Sequence, residues 1–120
     1  MTEKKGYRAH AKYLLVSPTK VRRVAKNVRR KPYTEAIAIL DNFPHKGAAL
    51  IKKVLVSAAA NALNQNKNLA EDQLYVSELL INEGPRLKRL WHRARGRADM
   101  LAKRMSHITA VVDEIAKAGV

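Results

Sequence analysis

The spacing of apolar residues changes period several times along the chain, and each change predicts an element. Tyr7, Ala9, Ala11 and Tyr13 alternate with Arg8, His10 and Lys12, the period of two that a half-buried strand shows, with a basic outward face. After Ser17 the period lengthens. In "SPTKVRRVAKNVRRK", Val21, Val24, Ala25 and Val28 form one helical stripe, Ser17 suits the N-cap and Pro18 the first helical position. "YTEAIAILDNFP" predicts a second, short helix capped by Thr34, presenting Ala36, Ile37 and Leu40 and ended by Pro44. The longest helical pattern is "HKGAALIKKVLVSAAANALNQN", with Ile51, Leu55, Ala58 and Ala62 on one line and Leu50, Val54 and Asn61 beside it. Its alanines allow another element to approach closely. "NQNKNLAEDQ" is a polar connector, and "LYVSELLINEGP" and "SHITAVVDE" both read as strands.

Between those two strands lies Gly84–His107, where eight Lys/Arg meet a single acid, Asp99. Leu87, Leu90, Trp91, Met100 and Leu101 distinguish it from a solvated tail. Arg95-Gly96 suits a turn, since glycine tolerates positive φ. With Ala94 facing Arg97, the register sets His92 opposite Asp99, Trp91 opposite Met100, Leu90 opposite Leu101, Lys88 opposite Lys103 and Ile81 opposite Ala110. The prediction is one long hairpin from Val76 to Val112, with residues 85–105 as an extended arm. Ten residues from Arg86 to Arg95 span about 30 Å as a strand, whereas a compact domain of this length has a radius of gyration of about 14 Å. The arm must protrude. Both of its faces mix arginine with apolar groups, and a lone two-stranded ribbon is marginal in water.

Charge sharpens this picture. The 120 residues carry a formal net charge of +14, and a surface that repels itself so strongly calls for a polyanion. From Lys4 to Lys31 there are eleven Lys/Arg and no acid; from Pro32 to Pro85, four against six acids; from Arg86 to Arg104, eight against one. Two basic surfaces on a near-neutral scaffold are expected. The first holds Arg8, His10, Lys12, Lys20, Arg22, Arg23 and Lys26; the second holds Arg86, Lys88, Arg89, Trp91, Arg93, Arg95, Arg97, Lys103 and Arg104. With no intervening acids to form i,i+4 pairs, the helical cations suit phosphates better than a merely solvated face. A membrane-surface helix would carry bulky residues where this one has valine and alanine. No cysteine, signal peptide or membrane span is present, which fits a cytoplasmic protein of one domain over residues 1–120.

"SPTKVRRVAKNVRRKPYTEAIAIL", "KKVLVSAAANA" and "NEGPRLKRLWHRARGRADMLAKRMSHITAVV" together resemble the L22 family of large-subunit ribosomal proteins, over about residues 7 to 112. The resemblance implies an α+β fold of three helices packed on a small antiparallel sheet with a long protruding β-hairpin. It implies a structural constituent that binds large-subunit rRNA, supports its assembly and sits among neighbouring ribosomal proteins. It further implies that the hairpin lines the nascent-peptide exit tunnel near where macrolides bind, with the tip at Arg93, Ala94, Arg95, Gly96 and Arg97 and Leu87, Lys88 and Arg89 further back. His92 stands where the family commonly has proline, Arg30 where glycine often ends the first helix, and Met105 where threonine is usual. Residues 113–120 extend past the common end as a C-terminal tail.

Catalysis has little to rest on. His10, His45, His92, His107, Asp99 and Glu83 show no metal-ligand spacing, and there is no nucleophile elbow or phosphate-cradling glycine loop. No catalytic residue, metal or other cofactor is expected. His92 with Asp99 could serve as acid and base in a ribonuclease, but on an exposed ribbon such a pair reads as a cross-strand contact. The alternative from another class is a DNA-binding architectural protein, since charge alone does not separate the nucleic acids. No helix-turn-helix, finger or dimerisation heptad supports it, and the basic residues lie on several faces rather than one.

Overall fold

Alternating apolar residues in the first and last strands and the apolar lines of the helices meet in one core. The computed structural model describes residues 6–92 and 94–115. Five strands, β1 (Tyr7–Leu14), β2 (Leu74–Glu83), β3 (Leu87–His92), β4 (Ala98–Lys103) and β5 (Ser106–Glu114), accompany three helices, α1 (Pro18–Ala25), α2 (Tyr33–Asn42) and α3 (Lys46–Gln65). The fold is α+β: an antiparallel sheet ordered β1-β5-β2 carries the helices, and β3 and β4 form a separate two-stranded ribbon. Rows Ala9–Ala110–Leu79 and Ala11–Ile108–Ile81 run across the sheet, and their side chains join Val21, Ile51, Leu55, Ala58 and Ala62 in the core.

Close approach makes the helix layer dense. Ala58, Ala59 and Ala62 of α3 are buried, and a Cβ at Gly47 would lie 3.3 Å from the Cα of Val21, so α1 and α3 touch through backbone. Ser17 does occupy the N-cap of α1, with Pro18 next, but it caps without its side chain; its carbonyl accepts from the amides of Lys20 and Val21. The start of α2 differs from expectation. Pro32, not Thr34, is its N-cap, because Tyr33 turns inward as a buried residue and draws the helix start with it. Arg30 adopts φ 65°, the left-handed backbone that glycine favours at a helix end, and its amide donates to the carbonyl of Val76.

The sheet's edges are covered, as exposed edges require. Along β2, Val76 exchanges backbone bonds with Arg30 and Lys31. Arg29 Nε donates to the Leu79 carbonyl at 3.0 Å, and Arg22 donates to the Ile81 carbonyl from Nε at 3.2 Å and Nη2 at 2.8 Å. On the β1 edge, Asn61 Nδ2 donates to the Arg8 carbonyl at 2.8 Å.

The long hairpin exists as two ladders, not one. The sheet ladder ends at Glu83 opposite Ser106 and the ribbon begins at Leu87 opposite Lys103, joined by a bond from the Gly84 amide to the Met105 carbonyl, 2.8 Å. Its register is also displaced from the expected one. His92 pairs with Ala98, Trp91 with Asp99, Leu90 with Met100, Arg89 with Leu101 and Lys88 with Ala102, while Ile81 pairs with Ile108. The tip has five residues between paired His92 and Ala98, which shifts the ribbon by one. Three residues then face two at the junction between ladders, which shifts the body by one more. Lys88 therefore does not face Lys103, as the expected register would have it. β5 runs to Glu114, paired with Leu74, two residues into the segment read as a tail; residues 116–120 lie outside those described.

Candidate nucleic-acid interface

Among the described residues, the strands of the ribbon pack chiefly on each other. The ribbon draws the molecule out to 65 × 36 × 23 Å with a radius of gyration of 17.6 Å, against about 14 Å for a compact chain of this size. At the tip, Arg95 (φ 62°) and Gly96 (φ 71°) are both left-handed, as the central pair of a type I′-like turn must be. Ala94, Arg95, Gly96 and Arg97 are exposed.

Arg86, Lys88, Arg89, Lys103 and Arg104 are exposed along or beside the ribbon. Arg93, and the side chain of Trp91, lie outside the described residues. Leu90 and Met100 face each other across the ladder at 63% and 61% exposure. The cations are interleaved with apolar groups that none of the described residues covers. The ribonuclease arrangement loses its premise, because His92 pairs with Ala98 and Asp99 with Trp91.

The first basic block is split by the fold. His10 and Lys12 are exposed and Arg8 half-buried on the β1 edge strand, with His10 Nδ1 3.0 Å from Thr109 Oγ1. Lys20 and Arg23 on α1 and Lys26 at its C-cap are exposed, and α1 lies at the opposite, β2 edge. Arg22 does not join them as a free cation: its two bonds to the Ile81 carbonyl commit it to the sheet edge. Sequence reading missed that role, and it missed the matching one of Arg29. It also passed over Lys46, which lines a cleft with Lys20, Lys103 and Arg104. Periodicity assigns faces within an element but does not show which carbonyl or cleft from another element meets them.

Among the described residues the one ion pair is Lys52 with Asp41, 2.5 Å, away from both basic surfaces. No three His, Cys, Asp or Glu side chains among the described residues group as metal ligands, and none of the described helices is long and apolar enough to cross a membrane.

A basic α+β body with an extended cationic ribbon, its charge unmatched by acids, defines the class of protein built to meet a polyanion. Residues 9–113 match the family model described as Ribosomal protein L22p/L17e. The chain is 63% identical over 114 residues to the large ribosomal subunit protein uL22 of Treponema denticola, covering 95% of this chain and 97% of that one. It is 58% identical to the protein of the same name from Treponema pallidum, covering 95% and 92%. With that of Borreliella burgdorferi strain B31 it shares 48%, covering 95% of each. The chain belongs to the ribosomal protein L22p/L17e family, of the bacterial type. It is therefore a cytoplasmic protein of the large ribosomal subunit, and its family is structural rather than enzymatic.

Proposed function

We infer that the chain binds large-subunit rRNA through its body and its ribbon, supports folding of that RNA during assembly, and lines the nascent-peptide exit tunnel with the ribbon's tip. Body contacts come from Arg8, His10, Lys12, Lys20, Arg23 and Lys26, and ribbon contacts from Arg86, Lys88, Arg89, Trp91, Arg93, Arg95, Arg97, Lys103 and Arg104. Arg22 serves this surface by fixing α1 against β2. The observation that carries the reading is the ribbon, which exposes cations and apolar side chains together and, among the described residues, packs chiefly on itself. Folded RNA can accept both, taking arginines at phosphates and apolar or aromatic groups against unstacked bases. Within the subunit, neighbouring ribosomal proteins and the nascent peptide complete the set of partners.

Binding of the purified protein to large-subunit rRNA and to duplex DNA of matched length, measured from low to moderate salt, tests this. Retention of rRNA binding at salt concentrations that release the DNA is expected. Equal affinity for both, with co-purification on chromosomal DNA rather than large subunits, would favour the architectural DNA-binding reading.

A further inference from the structure

Lys20 of α1, Lys46 at the start of α3, and Lys103 with Arg104 at the base of the ribbon come from three distant parts of the sequence. They line one cleft of about 600 Å³, together with Leu15, Val16, Ser17 and Ala102. Nothing offsets the charge, since the cleft's lining includes no acid. Both helices begin here with no acid in their first turns, so their positive ends add to the side-chain charge. Ser17 leaves its hydroxyl uncommitted to capping. Lys46 Nζ donates to the Leu15 carbonyl, 3.2 Å, so its ammonium is positioned beside the cleft before any ligand arrives. Four cations converging on one concavity repel each other unless an anion lies among them.

We propose that this cleft is a built site for the phosphodiester backbone of RNA, shared among α1, α3 and the base of the ribbon. Lys103 and Arg104 adjoin the break between the two ladders, where the Gly84–Met105 bond is the one backbone link across the junction. A phosphate shared among α1, α3 and the ribbon's base ties that junction to the helices. The proposal rests on the rRNA-binding reading and adds a specific site, including Lys46, to it.

The test is binding of the full chain to in vitro transcribed large-subunit rRNA as a function of salt. Its variants are Lys46→Gln, Lys103→Gln, the two combined, and Lys53→Gln as a control for net charge on the outer side of α3. Loss of a phosphate contact lowers the slope of log K against log salt by about 1. Lys46→Gln and Lys103→Gln should each show that loss, and Lys53→Gln should not. Since cations around one phosphate are coupled, the double variant should lose less affinity than the product of the two single losses. Lys103, which makes no side-chain bond among the described residues, keeps the test valid if Lys46→Gln disturbs the fold. Slopes for Lys46→Gln and Lys103→Gln equal to that of Lys53→Gln, or fully multiplicative losses, would overturn the shared site. Failure of the unaltered protein to bind rRNA at low salt would instead overturn the reading beneath it.

Discussion

Arg22 and Arg23 are neighbours with the same chemistry, and the structure gives them opposite jobs. Arg22 donates twice to the Ile81 carbonyl on the outer edge of β2, whereas Arg23 projects from α1 and its side chain makes no hydrogen bond among the described residues. Replacing Arg22 with alanine leaves that carbonyl without its charged donor. Hydrogen bonds to charged groups contribute about 1.5–3 kcal/mol, and because Arg22 is itself exposed the lower end applies, about 1.5 kcal/mol. For a chain of this size that is a fall in Tm of roughly 6 °C. Arg23→Ala should stay within about 0.5 kcal/mol of the parent, yet reduce the salt slope of rRNA binding by about 1. Thermal unfolding by circular dichroism, paired with RNA binding across salt, reads both quantities. The reasoning fails if Arg22→Ala melts with the parent and weakens the salt slope as much as Arg23→Ala does.

Arg30→Gly should stabilise the protein. Relief of the left-handed backbone is worth about 1–2 kcal/mol and glycine's added freedom in the unfolded chain removes about 0.5–1 kcal/mol of it, leaving a small rise in denaturation midpoint, while a fall would contradict the assignment. Tyr33 is buried, which raises its phenol pKa above 10.0, and the charge of Glu71 raises it further. A raised folded pKa means stability held below pH 10 and lost as pH climbs through the folded value, so Tyr33→Phe should flatten the alkaline side of the stability curve and leave neutral pH nearly unchanged. In the free protein, amides of the ribbon should exchange much faster than those of β5, the central strand, when followed by mass spectrometry; equal protection would mean that the ribbon has a partner within the chain. Deleting Leu87–Arg89 removes an odd number of residues, so it shifts the ribbon's register and swaps the faces of what remains of β3. Ribosomes carrying the deletion should change in macrolide sensitivity or peptide stalling more than in subunit yield, and a defect confined to assembly would speak against the tunnel role.

The helices and strands were legible because their burial is periodic: Val21, Val24 and Ala25 in α1, Ile51, Leu55, Ala58 and Ala62 in α3, and Ile108, Ala110 and Val112 in β5 all lie in the core. The ribbon was legible from its unmatched charge, and the Arg95-Gly96 turn from glycine's conformational freedom. Register was not. It depends on an extra residue at the tip and another at the junction, neither of which leaves a mark in a pattern of period two. The same limit applies to Tyr13, read as an inward strand residue but held at φ 59° and 60% exposed where β1 bulges. Long-range polar contacts were likewise invisible: Arg22 is a charge on a helix until β2 is placed beside it, and Lys46 reads as scaffold until α1 and the ribbon's base close around it.

The most direct measurement is photo-crosslinking in intact ribosomes, with reactive groups at Arg95 on the tip and Arg23 on α1, followed by identification of what each captures. The account predicts nascent chain or tunnel-wall rRNA at Arg95 and a separate rRNA segment at Arg23. Capture of one common surface by both, or of DNA by either, would contradict it.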